Sequence, residues 1–252
     1  MTESLDYSSP PAAFDQVVEA MGLAFDPGER DKLGRYLQLL YETNKQMNLT
    51  AIRDPETAWM RHITDSLSLV PVLASVDSSR IIDVGSGGGL PGIPLSIVTP
   101  DSRFVLLEAT GKKAAFLQRV VDELSLENVR VVPDRAETAA SHGSAHRAAF
   151  DVVVARAVGP LPVLVELTVP LATVGGYVVA IKGERASQEI QDAAEAMSIL
   201  RCEVVDMIET QTGTIVIIRK NKATPRSYPR RPGEPKRKPL GVEDIEDARG
   251  QA

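Results

Sequence analysis

A glycine-rich segment directly after a short apolar run constrains the fold of this chain more than any other feature. Residues 81–84 read Ile-Ile-Asp-Val, and glycines follow at positions 85, 87, 88, 89 and 92. Glycine lets the backbone turn at positive φ and lets a ligand approach without meeting a Cβ atom. Pro91 suits the first turn of a helix. The segment therefore predicts a strand, a tight turn and a helix, with the turn at the edge where open α/β sheets bind ligands.

Beyond this segment, short apolar runs alternate with helical windows. The predicted strands are 80–84, 103–107, 129–132, 150–154, 176–181, 203–207 and 214–219. Helical windows lie near 91–98, 112–124, 160–171 and 186–200, and only the last two strands adjoin without room for a helix. This order predicts an α/β fold whose mainly parallel sheet is covered on both faces, with one antiparallel strand at or near an edge.

Three segments of different character divide the chain. In 28–43 and 55–73, apolar side chains recur at three- and four-residue spacing, which is typical of amphipathic helices. Residues 1–76 are therefore predicted to form an N-terminal helical extension in front of an α/β domain over 77–221. Residues 222–252 form a basic, proline-rich C-terminal arm.

The net charge of −6 is unevenly distributed. Residues 222–238 carry +6, so the remaining 235 residues carry −12. Five prolines in 222–239 argue against a helix there and predict an extended arm. The arm has two interpretations, a solvated disordered tail or a segment that contacts phosphates and gains affinity by releasing their condensed counterions.

Composition limits the other classes of protein to which this chain could belong. The single cysteine, Cys202, excludes an internal disulfide framework and favours a reducing, cytoplasmic compartment. The sequence has no apolar run of 18 residues and no secretory signal at its start, so a membrane span is not expected. His142 and His146 lack cysteine partners, so no metal site is expected either. A monomer is the default expectation.

Two carboxylates point to a nucleoside-containing ligand. Glu108 ends the strand after the glycine segment, 23 residues beyond Gly85. A carboxylate at that position can accept hydrogen bonds from both ribose hydroxyls. Asp83 stands just before the first glycine, where it suits an ammonium group, reached directly or through water. An ammonium group is present in S-adenosylmethionine and absent from a pyrophosphate.

The glycines alone leave the ligand open. Gly87, Gly89 and Gly92 fit the dinucleotide pattern G-x-G-x-x-G, so an NAD-dependent oxidoreductase is an alternative, although a lone match is weak. The phosphate-binding loop of nucleotide hydrolases is excluded because no Gly-Lys-Ser/Thr follows. The carboxylate of Asp83 favours S-adenosylmethionine.

Several ordered motifs make the sequence resemble one family. The glycine segment continues as Leu-Pro-Gly-Ile-Pro-Leu over 90–95, preceded by Asn-Leu-Thr-Ala-Ile at 48–52 and Arg-His-Ile-Thr-Asp-Ser-Leu at 61–67. Further matches lie at 112–117, 134–137, 155–157, 180–183 and 224–230. This ordered set resembles the bacterial ribosomal RNA small subunit methyltransferase G family, also called glucose-inhibited division protein B.

The resemblance implies a class I S-adenosylmethionine-dependent methyltransferase with a Rossmann-like, seven-stranded sheet. It implies methyl transfer to guanine N7 in a loop of 16S ribosomal RNA, on the naked RNA or the small ribosomal subunit. Gly85, Leu90 and Arg156 would then line the cofactor site, and Ala136 and Glu137 would bracket the adenine. Asp83, Gly87, Gly89 and Glu108 complete the predicted cofactor set from the loop argument above.

No catalytic side chain is predicted, because guanine N7 has a free lone pair and needs no base before it attacks a methyl group. A small-molecule methyltransferase of the same fold is a further alternative, although it would give the basic arm no role. The predicted RNA contacts are basic residues around the cofactor mouth and on the arm, namely Arg61, Lys112, Lys113, Arg119, Lys182, Arg185, Arg226, Arg230 and Arg231.

Overall fold

The computed structural model describes residues 6–242, and its centre is a seven-stranded sheet in the order β3-β2-β1-β4-β5-β7-β6. The strands are β1 (Arg80–Val84), β2 (Arg103–Leu107), β3 (Val129–Val132), β4 (Phe150–Arg156), β5 (Ala172–Lys182), β6 (Cys202–Thr210) and β7 (Gly213–Lys220). β7 runs antiparallel to both neighbours, and the pairs among β1 to β5 are parallel. The predicted α/β fold is confirmed. β7, the antiparallel strand, is second from one edge of the sheet, and β6 forms that edge.

The helices follow the predicted alternation, with several breaks. They are α1 (Ala12–Ala20), α2 (Glu29–Asn44), α3 (Pro55–Ala58), α4 (Thr64–Leu67), α5 (Val70–Ala74), α6 (Gly92–Val98), α7 (Gly111–Glu123), α8 (Ala136–Ala139), α9 (Leu161–Thr168), α10 (Ala186–Asp192), α11 (Ala194–Leu200) and α12 (Glu234–Arg237). A π-helical turn, Trp59–Ile63, joins α3 to α4. The windows 55–73 and 186–200, each predicted as one helix, are thus divided. None of the helices in 6–242 has the length and apolar character needed to cross a membrane.

The N-terminal helices share a hydrophobic cluster with the helices of the α/β unit. Tyr36 and Trp59 are fully buried in the cluster that also contains Ile93 of α6 and Phe116 of α7. Burying an aliphatic or aromatic side chain of this size contributes roughly 1.5–3 kcal/mol. The opposite face of the sheet is covered by α8 to α11 in a separate cluster. The N-terminal helices therefore form part of the layer that covers one face of the sheet.

The C-terminal arm is docked on the body as far as the structure describes it. Arg147 donates hydrogen bonds to the carbonyl oxygens of Thr224, Pro225 and Tyr228 at 2.7–3.2 Å. Beyond these residues the arm contains α12, so the expectation of a helix-free arm was wrong. Pro235 occupies the first turn of that helix, where its missing N–H is not needed.

Candidate active site

The glycine segment forms a loop between β1 and α6. Gly85, Gly87 and Gly89 all have positive φ, of 71°, 56° and 97°. A Cβ atom on Gly89 would lie 2.7 Å from the Ile93 side chain, and one on Gly92 would lie 2.7 Å from the Asp83 carboxylate. A Cβ atom on Gly87 would meet only a carbonyl oxygen, at 3.7 Å. Gly89 and Gly92 are therefore required by internal packing, whereas Gly85 and Gly87 face a pocket.

This pocket has a volume of about 280 Å³ and lies over the carboxyl ends of β1 and β4. The glycine loop forms one wall together with Leu90. The other walls come from the N-terminal part of the chain and from the end of β4, through Thr50, His62, Arg156 and Ala157. Lys113, predicted to contact RNA, is also among the residues that line the pocket.

The two predicted carboxylates occupy different positions. Glu108 accepts hydrogen bonds from the backbone N–H groups of Gly87, at 2.9 Å, and Thr110, at 2.7 Å, so it borders the loop. Asp83 is fully buried and accepts a hydrogen bond from the N–H of Gly92 at 3.0 Å. Burial raises the pKa of Asp83 to about 7. Asp83 therefore braces the loop from within the protein and is not among the residues that line the pocket.

The N-terminal helices support the loop from behind. The Tyr36 hydroxyl of α2 donates to the carbonyl of Gly88 at 2.8 Å. Asn44 at the end of α2 accepts hydrogen bonds from the N–H groups of Leu49 and Thr50 and donates to the Thr50 carbonyl, which fixes the turn that carries the Asn-Leu-Thr motif. The pocket thus depends on residues far from the glycine segment in sequence.

His62 is a buried neutral side chain in the π-helical turn. Its Nε2 lies 2.8 Å from the Thr50 hydroxyl. Burial, and then the positive charges of Arg156 and Arg61, lower the pKa of His62 to about 4. The imidazole is therefore uncharged at neutral pH. The imidazole is thus a hydrogen-bonded part of the pocket wall.

Arg156 closes the pocket at the end of β4. Its Nη2 forms an ion pair with Asp65 at 3.1 Å, and both side chains are largely buried, at 18% and 6% exposure. The hydroxyl of Thr212, in the turn between β6 and β7, donates to the other oxygen of the Asp65 carboxylate. The second guanidinium nitrogen, Nη1, has no hydrogen-bond partner among the described residues.

Ala136 and Glu137 lie at the start of α8, just beyond the carboxyl end of β3. They border the same edge of the sheet as Glu108, two strands away from β1. The Glu137 carboxylate accepts a hydrogen bond from the N–H of Gly233 at 2.7 Å, so it also anchors the arm. Neither residue lines the pocket at β1 and β4.

The predicted RNA-binding cations separate into two groups. Lys182 and Arg230 are engaged within the protein: Lys182 forms an ion pair with Glu189 at 2.6 Å, and Arg230 forms one with the fully buried Glu166 at 2.6 Å. These two are corrected from RNA contacts to structural cations. Arg119 is paired with Glu123 one turn further along α7. The members that are exposed and form no ion pair within residues 6–242 are Arg61, Lys112, Arg185, Arg226 and Arg231.

The exposed cations also differ in position. Lys112 and Arg185 stand at the starts of α7 and α10, which follow the carboxyl ends of β2 and β5. Arg231 stands two residues before Gly233, which is hydrogen-bonded to Glu137 at the same edge. Arg226 adjoins the residues held by Arg147, which precedes β4 and so lies at the opposite, amino edge. Arg226 is therefore separated from the pocket mouth by the height of the sheet.

The residues of the site suit S-adenosylmethionine. Glu108 lies where a ribose would meet the end of β2, and Gly87 leaves room for a ligand because it lacks a Cβ atom. Arg156 offers a buried guanidinium that can bind a carboxylate. Within residues 6–242, no group of three or more His, Cys, Asp and Glu side chains is placed to hold a metal ion.

Sequence reasoning missed four residues that shape the pocket, namely Tyr36, Asn44, Asp65 and Thr212. One signal was available for Asp65, because His62 and Asp65 are three residues apart and such residues share a helix face. The other contacts join residues 5 to 147 positions apart and have no local pattern that reveals their partners.

Comparison with known proteins identifies close relatives. The family model described as rRNA small subunit methyltransferase G matches residues 29–218. The chain is similar to the ribosomal RNA small subunit methyltransferase G of Sorangium cellulosum, with 43% identity over 88% of this chain and 93% of that protein. The protein of the same name from Halalkalibacterium halodurans is 39% identical over 90% of this chain and 98% of its own length. Among solved structures, an O-methyltransferase from Bacillus cereus in complex with SAH has a TM-score of 0.57 at 19% identity, over 82% of this chain and 97% of that chain, which supports the fold alone.

Proposed function

The chain belongs to the rRNA small subunit methyltransferase G family, and we propose that it transfers the methyl group of S-adenosylmethionine to N7 of a guanine in a loop of 16S ribosomal RNA. The observation that carries this proposal is the pocket at the carboxyl edge of the sheet, where the glycine loop and Arg156 meet beside Glu108. S-adenosylmethionine, when bound, supplies an electrophilic sulfonium methyl group. Guanine N7 is a free acceptor, so the chain has to orient two reactants rather than remove a proton.

The protein side chains have distinct parts in this proposal. Glu108 accepts hydrogen bonds from the ribose, and Gly85, Gly87 and Leu90 line the cofactor site. Ala136 and Glu137 lie beside the adenine. Asp83 and Gly89 support the loop from within the protein, as their burial indicates. His62 is uncharged at neutral pH and adds no positive charge to a base that becomes cationic on methylation.

The RNA is proposed to bind across the carboxyl edge of the sheet. Arg61, Lys112, Arg185 and Arg231 are exposed near this edge and suit phosphate contacts, which position the RNA without reading its sequence. The acidic remainder of the chain limits binding elsewhere. A looped RNA is the expected target because the major groove of an RNA duplex is too deep and narrow for side chains to reach N7. A cytoplasmic monomer acting on 16S RNA or on the small subunit completes the proposal.

Mapping of 7-methylguanosine in ribosomal RNA tests the proposal. RNA from cells with and without this gene is compared, with the gene restored on a plasmid as the control. We expect one 7-methylguanosine in 16S RNA to disappear with the gene and to return with the plasmid. An unchanged methylation pattern would refute the substrate. Separate titrations of the purified protein with S-adenosylmethionine and NAD test the cofactor, and binding of NAD alone would refute it.

A further inference from the structure

A buried chain of polar contacts connects the cofactor pocket to the β6–β7 turn. Arg156 lines the pocket, Asp65 pairs with its Nη2, and Thr212 donates to the second oxygen of Asp65. Asp65 is 7% exposed, and its carboxyl group does not line the pocket that holds the glycine loop. Burying an ion pair costs desolvation free energy, so a functional role explains this pair better than a contribution to stability does.

The order of the strands indicates which part of the cofactor lies beside Arg156. β1 stands between β2 and β4, so Glu108 at the end of β2 and Arg156 at the end of β4 lie on opposite sides of the glycine loop. With the ribose at Glu108 and the adenine at Ala136, beyond it, the remaining part of the cofactor extends toward β4. That part is the amino-acid tail, which carries a carboxylate.

We infer that Asp65 is a positioning residue, which holds the Arg156 guanidinium so that it binds the carboxylate of the cofactor's amino-acid tail. This inference rests on the proposed use of S-adenosylmethionine. Asp65 occupies Nη2 of the guanidinium, while Nη1 is buried and has no hydrogen-bond partner among the described residues. A buried donor without a partner is costly, and the ligand carboxylate would satisfy it. A charge-assisted contact of this kind has a strong directional preference, so a displaced guanidinium loses much of its affinity.

Thr212 completes the arrangement from the other side. Its hydroxyl fixes the Asp65 carboxylate, which by itself could rotate within its turn of helix α4. Because Thr212 belongs to the β6–β7 turn, a displacement of that turn would move Arg156 through the contacts of Thr212 and Asp65. Asp65 thus acts on the cofactor through Arg156 and does not touch it.

Two ligands that differ only in the amino-acid tail test this inference by isothermal titration calorimetry. S-adenosylhomocysteine contains the tail, whereas 5′-methylthioadenosine has a methyl group in its place. We expect Asp65→Asn to weaken S-adenosylhomocysteine binding by about tenfold or more, the magnitude of one charged hydrogen bond. Binding of 5′-methylthioadenosine should change by less than about twofold. Thr212→Val should weaken the binding of S-adenosylhomocysteine by about threefold.

Asp151→Asn is the matched control, because Asp151 also forms an ion pair with an arginine on a central strand, Arg80, at 2.7 Å. That pair lies at the amino edge, so both affinities should stay unchanged. Equal weakening of both ligands by Asp65→Asn would indicate a merely structural role and would overturn the inference. No weakening of either ligand would overturn it as well. If Asp65→Asn does not fold, Thr212→Val alone decides by the same comparison.

The result is separable from the proposed function. The calorimetric comparison contains no RNA, so it stands or falls without reference to the methylated nucleotide. A 7-methylguanosine pattern that is unchanged when the gene is removed would refute the proposed substrate while leaving the comparison of tail and tail-less ligands intact. Wild-type protein that binds both ligands equally would refute the inference while leaving the RNA result intact.

Discussion

At the residue scale, the glycines of the loop have separate physical tasks. Gly85 and Gly87 need positive φ and face the pocket, whereas Gly89 needs positive φ and also lies against Ile93. A side chain at Gly87 therefore intrudes on the ligand, and a side chain at Gly89 intrudes on the protein.

Alanine substitutions should separate these tasks. Both Gly87→Ala and Gly89→Ala place a Cβ atom at positive φ, which costs about 1 kcal/mol. Gly89→Ala adds a close contact with Ile93 and should lower the free energy of unfolding by a further 1–3 kcal/mol or so, the usual cost of overpacking. Gly87→Ala should weaken S-adenosylmethionine binding and should lose only the roughly 1 kcal/mol of stability that its positive φ costs. Urea unfolding and calorimetry measure the two effects, and equal stabilities would contradict the assignment.

Asp83 makes the stability depend on pH. Its pKa in the folded protein is about 7, above the ordinary value of 3.8, because it is buried. The protonated form therefore favours folding, and this contribution is complete below about pH 4 and is lost as the pH rises through about 7. Each pKa unit corresponds to about 1.4 kcal/mol.

Asp83→Asn should remove this dependence. Its side-chain oxygen can still accept the N–H of Gly92. Between pH 4 and pH 7, the free energy of unfolding should fall less steeply in the variant than in wild type, and above about pH 7 the variant should be the more stable. Urea unfolding at several pH values measures this, with the exposed Asp101→Asn as control. Parallel pH profiles for wild type and Asp83→Asn would contradict the burial argument.

At the scale of elements, the C-terminal arm is attached to the body of the protein and also carries exposed positive charges. Arg230 and Arg147 bind it to the body, while Arg231, Lys236 and Arg237 are exposed and form no ion pair in the described part of the chain. Leu240 further packs into the cluster under α9 and α11. Truncation of the whole arm would therefore expose core residues and would not test RNA binding cleanly.

Charge substitutions test the arm without undocking it. Replacing Arg231, Lys236 and Arg237 by Gln should weaken binding of a 16S RNA fragment and reduce the slope of log affinity against log salt by about 2, since each lost phosphate contact lowers the slope by about 0.7–0.9. The unfolding transition should stay within about 2 °C of wild type, because these side chains are exposed. Arg226→Gln, at the other edge of the sheet, is the control and should leave the slope unchanged. An unchanged slope in the triple variant would exclude the arm from the RNA interface.

Glu166 anchors the C-terminal arm through its ion pair with Arg230, and loss of this pair is expected to destabilise the protein. Its carboxylate is fully buried and pairs with Arg230, so Arg230→Met leaves a buried charge without its partner. Such a loss typically costs about 3–5 kcal/mol. The double variant Arg230→Met with Glu166→Gln should recover part of this loss. Thermal unfolding measures both, and a wild-type transition for Arg230→Met would contradict the proposed anchor.

At the scale of the whole molecule, local patterns predicted the sheet but not the contacts between distant segments. The seven strands were readable because each apolar run is short and bounded by helical windows. The loop was readable because its glycines adjoin a strand. Lys182 and Arg230 were misassigned because their partners, Glu189 and Glu166, lie in other elements, and an exposed charge and a paired charge look alike in sequence. The π-helical turn also has no pattern of its own.

The antiparallel direction of β7 sets a minimum length for the segment that follows it. β7 ends at the amino edge of the sheet, and its eight residues span about 27 Å. The chain must return toward the carboxyl edge to bring Gly233 to Glu137, which follows β3, a strand of four residues that spans about 13 Å. Residues 222–233 can extend over about 40 Å at most, and they also cross sideways to α8. Natural variation should therefore tolerate insertions in this segment readily, whereas a deletion of several residues would leave the basic side chains on the wrong side of the molecule.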